Sequence, residues 1–191
     1  MHSPPISFFL KQPTILVNLI VMIFAWLSAT FCYYMISFEL KYLPGNLFVN
    51  TYASAFGDLI STVVSGVVVR YLGIKYTLIG SYSMATTGAL LICVWGWNTQ
   101  EQNKWIMPGL VMVAKFGISA AFNIVYIGNS ALFPTLFTAT SLGICNVLAR
   151  TATIFAPFVA EIQGVTPMWI VVGITGITTI ACLFMRKPDT M

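Results

Sequence analysis

Six stretches of roughly twenty mostly apolar residues follow one another along this chain, each long enough to cross the hydrocarbon core of a bilayer as a helix. They run from about Thr14 to Phe38, Leu47 to Val69, Tyr76 to Trp97, Ile106 to Gly128, Phe137 to Ala160 and Pro167 to Met185. Hydrophobic residues make up 58% of the 191 and charged ones 7%, where a soluble domain carries about a quarter charged. Mean hydropathy is +0.88. A bilayer accepts such side chains only if the backbone satisfies its own hydrogen bonds, as a helix does. The expected fold class is therefore all-α transmembrane. A six-helix bundle fills residues 14–185, and short cytoplasmic segments 1–13 and 186–191 flank it.

The breaks between the segments hold residues that suit a membrane surface. Glu39, Lys41, Pro44 and Gly45 end the first, and Arg70, Gly73 and Lys75 part the second from the third. Asn98–Lys104 is the most polar stretch, Phe133-Pro134-Thr135 interrupts the fourth and fifth, and Gln163-Gly164 precedes the sixth. One side of the membrane receives Lys11, Arg70, Lys75, Arg186 and Lys187, and the other Lys41 and Lys104 beside Glu39, Glu101 and Glu161. The positive-inside rule makes the first side cytoplasmic, with both termini there. Trp97 and Trp105 are expected at the outer interface, and the plasma membrane is the expected location rather than an organelle. Met1–Gln12, with Pro4, Pro5 and Lys11, does not read as a cleavable signal, because the apolar run after it is too long.

Composition removes several function classes. The net charge of +4 is spread over scattered basic residues, with no basic stripe interleaved with aromatics, so no nucleic-acid partner is expected. Cys32, Cys93, Cys145 and Cys182 fall in four separate segments without metal-ligand spacing and read as small buried residues. His2 is the only histidine. No metal or other cofactor is expected. Neither a phosphate-binding loop nor a paired-His or Ser–His arrangement occurs, and an intramembrane aspartyl protease would need a second carboxylate beside Asp58. The chain is not expected to be an enzyme.

Ionisable side chains at membrane depth are costly and mark function by default. Three stand out: Asp58, Lys115 and Arg150. Ser54, Asp58, Ser61 and Ser65 share a helix face, as do Lys115, Ser119, Asn123 and Tyr126, while Asn146 lies one turn from Arg150. Trp26, Thr30, Tyr33 and Ser37 line another face. Together these describe an amphipathic cavity in which the planar fork of Arg150 grips an anionic or zwitterionic group. The structural alternative is an Arg150–Asp58 ion pair that holds helices together, with the hydroxyl stripes and Gly80, Gly88, Gly173 and Gly176 serving helix packing. Lys115 lies closer to a span end, from which it could also snorkel. A faint repeat relates Ser28-Ala29-Thr30-Phe31 to Ser119-Ala120-Ala121-Phe122, and Val21-Met22 to Val111-Met112, in the manner of a 3+3 inverted repeat. In that register Asp58 and Arg150 fall at similar depth.

Longer motifs carry a family resemblance. AKFGISAAFNIVYIGNSALFPT (Ala114 to Thr135) resembles the tenth helix and following loop of organic cation, anion and carnitine transporters of the major facilitator superfamily. SLGICNVLARTATIFAPF (Ser141 to Phe158) resembles their eleventh helix, and LPGNLFVNTYASAFGDLI (Leu43 to Ile60) their seventh loop and eighth helix. Tyr33-Tyr34 sits where the family often has aromatic cavity residues. The resemblance implies a central site between two six-helix halves, of which this chain would be the C-terminal one. Arginine at position 150 is common in the anion and carnitine branches, and so is lysine at 115. The chain departs from the pattern in its cytoplasmic charges: Arg70 stands where an acid is usual, before Tyr71, Gly73, Ile74 and Lys75, and Ala131 and Thr138 replace an acid and an arginine. In the family those charges form a latch between conformations.

The expected function is transport of small organic ions, anions or zwitterions favoured, by one half of an alternating-access carrier. Substrate would meet Arg150, Lys115, Tyr33, Tyr34, Asn123 and Asn146, and Asp58, Arg70 and Lys75 would serve gating or ion pairing. The partners implied are the lipid bilayer, the organic ion and a second six-helix bundle, either an identical chain or another. The alternative is a membrane subunit that does not transport and acts in assembly.

Overall fold

The computed structural model describes residues 13–43, 45–96, 105–133, 135–162 and 164–186. Every regular element among them is helical. Helix α1 covers Pro13–Glu39, opening on a proline that the first turn tolerates because its N–H would be unpaired anyway. Helix α2 covers Leu47–Leu91 and runs on into a π-helical turn, Ile92–Gly96. The side chain of Asn46 caps α2 by accepting the Phe48 N–H at 2.9 Å. Then come α3 (Ile106–Leu132), α4 (Thr135–Thr153), the short α5 (Ala156–Ala160) and α6 (Thr166–Leu183). Lys11, Pro44, Trp97, Asn98–Lys104, Pro134, Gln163 and Lys187, with most of segments 1–13 and 186–191, lie outside the described residues.

Among the described residues five helical stretches are long and apolar enough to cross a membrane. The second and third expected spans are continuous in α2, whose 45 residues would reach roughly 68 Å if straight, about twice the thickness of a hydrocarbon core. They are parted at Gly73, where φ 78 and ψ 169 interrupt the helical backbone. Only glycine adopts that region readily. The Thr77 hydroxyl donates to the Gly73 carbonyl at 2.6 Å and fixes the restart. A Cβ built on Gly73 meets nothing within 4 Å, so any penalty there comes from backbone conformation alone. Gly73→Ala is expected to destabilise the fold by about 1–3 kcal/mol, seen as a lower melting temperature in detergent. An unchanged melting temperature would show that the elbow can close by another conformation.

The fifth expected span is also divided. A turn at Ile154 and Phe155 separates α4 from α5. Pro157 explains it: the proline has no N–H to donate to the Thr153 carbonyl, and its ring crowds that oxygen, so α4 stops at Thr153.

Between helices in a membrane, close packing and hydrogen bonds replace the hydrophobic drive of water. The approach is closest between α2 and α3. A Cβ on Gly88 would lie 2.6 Å from the Ala114 nitrogen, one on Gly117 would lie 2.7 Å from the Ser81 carbonyl oxygen, and one on Gly57 would lie 2.9 Å from that of Met112. Of the other glycines expected to pack, Gly80 and Gly173 meet nothing within 4 Å, and Gly176 only touches Thr86 Cγ2 at 4.0 Å. Buried polar groups complete the interior. The Tyr82 hydroxyl donates to the Ala25 carbonyl at 2.6 Å, and Thr86 and Thr175 join α2 to α6 at 2.8 Å. Cys32, Cys145 and Cys182 are buried, and Cys93 is partly so.

The two ends of the bundle are fastened differently. At one, Asn18 donates to the Arg186 carbonyl at 3.0 Å and accepts the Arg186 N–H at 2.9 Å, tying the start of α1 to the end of α6. Lys75 Nζ donates to the carbonyls of Leu183 (2.6 Å) and Met185 (2.9 Å), satisfying acceptors left open where α6 ends. At the other end Lys41 and Glu161 form an exposed ion pair at 3.8 Å, of the kind that adds little stability. The first and last described residues thus share one end.

Candidate substrate site

The polar face of α1 meets α3 and the first half of α2 around Tyr33. Lys115 of α3 is 1% exposed, so its ammonium does not snorkel out. It donates to the Tyr33 carbonyl at 3.1 Å and to the Ser37 hydroxyl at 2.5 Å, and it sits 3.4 Å from the centre of the Tyr33 ring, over its electron-rich face. Ser37 in turn donates to the Tyr33 carbonyl at 2.8 Å. The Tyr33 hydroxyl donates to Asp58 Oδ2 at 3.0 Å, while Asp58 Oδ1 is buried with no hydrogen-bond partner among the described residues. One tyrosine therefore touches the cation through its ring and carbonyl and the carboxylate through its hydroxyl. Lys115, Asp58, Ser37, Thr51 and Ser54 line one cavity of about 460 Å³.

An aromatic wall continues from this cluster. Tyr33 lies 5.5 Å from Tyr34 and 5.4 Å from Phe122, Phe122 lies 5.5 Å from Tyr126, and Tyr126 meets the buried Trp26 edge-on at 4.3 Å. Asn123 faces the same side and donates to Thr62 Oγ1 at 3.3 Å. The fold thus gathers Tyr33, Tyr34, Lys115, Asn123 and Asp58 in one region. Ser54, Ser61 and Ser65 are buried beside them.

The other expected site residues lie elsewhere. Arg150 is exposed on α4 and forms no pair with Asp58; the ion pair among the described residues is Lys41–Glu161. Asn146 turns back on its own helix, donating to the Leu142 carbonyl at 3.2 Å. Arg70 and Lys75 sit at the α2 elbow, lining a cavity with Arg186.

Sequence reasoning missed Glu39 as anything but a break residue. Helix α1 runs through to it and buries it completely, with neither carboxylate oxygen hydrogen-bonded among the described residues. Phe122 and Thr62 were missed as well, although each lies one residue from a position already singled out or one turn from Asp58.

No family model matches the chain. Curated relatives nevertheless align over most of it. It is 25% identical to solute carrier family 22 member 21 of Mus musculus over 182 residues, which is 94% of this chain and 32% of that protein. Identity to organic cation/carnitine transporter 2 of Homo sapiens is 25% over 181 residues, 90% of this chain and 32% of that protein. Solute carrier family 22 member 15 of Xenopus tropicalis aligns with all of the chain, 25% identical, over 36% of its own length. The chain spans about a third of the length of the curated relatives it matches. All three are named as carriers or transporters and none as an enzyme, which supports the expectation of a chain that is not an enzyme. With its five long apolar helices, the chain is an all-α transmembrane bundle similar along most of its length to organic-solute carriers.

Proposed function

We propose that the chain is the C-terminal six-helix half of a facilitator-type carrier for small organic anions or zwitterions, working by alternating access against a second bundle. The observation that carries this reading is the pairing of a buried ammonium, Lys115, with a carboxylate, Asp58, on the wall of one cavity, bridged by Tyr33. A zwitterion presents the complementary pair, and a relative named for carnitine handles a molecule with both a carboxylate and a quaternary ammonium. Substrate carboxylate would compete with Ser37 and the Tyr33 carbonyl for Lys115, and a substrate cation would use the Tyr33 ring and the free oxygen of Asp58.

Arg150 is exposed on α4. In the proposed carrier that side meets the second bundle, and the guanidinium takes the substrate carboxylate at the gap between the bundles, with Asn146 one turn away. Uptake of labelled carnitine, of an organic cation lacking a carboxylate and of an organic anion lacking an ammonium tests the reading. Arg150→Ala is expected to cut uptake of the two carboxylates about tenfold or more, the loss of one charge-assisted bond, and to spare the cation. Equal loss for all three would remove Arg150 from the site.

One observation favours the alternative of a non-transporting membrane subunit. Lys115 and Asp58 are already bonded to Tyr33 and Ser37, so the cluster is partly self-satisfied and would hold α1, α2 and α3 together unaided. Such a subunit would show no saturable uptake and would co-purify with a defined complex.

A further inference from the structure

A second cavity, of about 560 Å³, opens at the end of the bundle where α2 bends at Gly73 and α6 finishes. Three cations line it, Arg70, Lys75 and Arg186, and its described lining contains no acid. Lys75 has two of its three donors fixed on the Leu183 and Met185 carbonyls, so its charge is held at the cavity and one N–H remains. The Arg186 backbone is clasped on both sides by Asn18, which fixes where that side chain starts. Three like charges around one hollow repel unless an anion enters. The surroundings also suit a lipid: Tyr71, Leu72 and Tyr76 are 84%, 58% and 64% exposed at the rim, and Leu132 and Met185 give apolar lining. Exposed tyrosines belong at the headgroup level of a bilayer, and basic hollows between helix ends take phosphorylated headgroups.

We infer that Arg70, Lys75 and Arg186 form a binding site for the phosphate headgroup of an anionic phospholipid in the leaflet at this end of the bundle. The acyl chains would run down beside Leu72 and Tyr76 while the phosphate sits among the three cations. The site stands whether or not the chain transports anything.

Native mass spectrometry of the full chain in detergent reads the result, with phosphatidylinositol 4-phosphate or phosphatidylcholine added. The phosphorylated lipid is expected to remain bound one to one and phosphatidylcholine to dissociate. Arg70→Ala with Arg186→Ala keeps Lys75 on α6 and should weaken retention roughly thirtyfold, equivalent to about 2 kcal/mol for two cations. Lys41→Ala, at the opposite end, should leave retention unchanged. Raising salt with the unaltered chain should release the lipid, a readout that needs no variant to fold. Equal retention of phosphatidylcholine, undiminished binding in the folded double variant or indifference to salt would overturn the site. Inositol 1,4-bisphosphate, the detached headgroup, is expected to bind far more weakly; binding as tight as the lipid's would mean a soluble-anion site and overturn the lipid assignment.

Discussion

Gly117→Val is expected to lower the melting temperature of the detergent-solubilised chain by about 6–12 °C. The added Cβ would collide with backbone, not with a side chain that can swing aside: the Ala85 nitrogen and Cα and the Ser81 carbonyl oxygen are all closer than 3.0 Å. Helices α2 and α3 would have to separate, and Gly88, whose own Cβ would strike Ala114, marks the same seam about one turn away. Overpacking a well-filled interior costs about 1–3 kcal/mol, and a clash of backbone on backbone belongs at the top of that range. At about 2–4 °C per kcal/mol for a chain of this size, the expected shift follows. Gly80→Val supplies the control, since nothing lies within 4 Å of that position. If both substitutions lowered the melting temperature equally, loss of glycine in a helix rather than contact would be the cause.

Lys115→Met is expected to reduce carboxylate uptake about tenfold to a hundredfold. A charge-assisted hydrogen bond contributes about 1.5–3 kcal/mol, which sets that range. Methionine fills nearly the same volume, but removing one of two opposite buried charges costs stability, here because Asp58 keeps a buried oxygen with no hydrogen-bond partner among the described residues. The loss is limited, because Ser37 still donates to the Tyr33 carbonyl and Tyr33 still donates to Asp58. Initial uptake rates at low substrate, paired with melting curves, separate the two effects. Full uptake in the variant would take Lys115 out of the substrate site. A large drop in melting temperature alongside that full uptake would assign it to holding α1 against α3.

The spans were legible because length and hydropathy are enough to identify a membrane helix, and both were plain in the sequence. The joint between the second and third spans was legible in part: Arg70, Gly73 and Lys75 marked a break, and the φ of Gly73 interrupts the backbone there. With no proline between Arg70 and Lys75, the letters did not show that helix runs right up to that glycine on both sides. The division between α4 and α5 at Pro157 was passed over, since the fifth span was expected to run unbroken from Phe137 to Ala160. At the site, helical spacing put Lys115, Asn123 and Asp58 on usable faces, and the fold gathered them. It left Arg150 apart from Asp58 because a repeat register gives depth along a helix and not the direction a side chain takes around it. Glu39 escaped for a related reason: an acid near the end of an apolar run reads as a boundary, whereas α1 extends through it and buries it.

The unequal fastening of the two ends has a mechanical result. Where α1 begins and α6 finishes, four hydrogen bonds through Asn18 and Lys75 bind the helices to one another. At the far end the ion pair among the described residues is the solvent-exposed Lys41–Glu161, and Lys41 lines the 460 Å³ cavity. A sheaf gripped at one end and loosely knotted at the other is expected to splay at the knot, widening the mouth beside Lys41 while the gripped end keeps its shape.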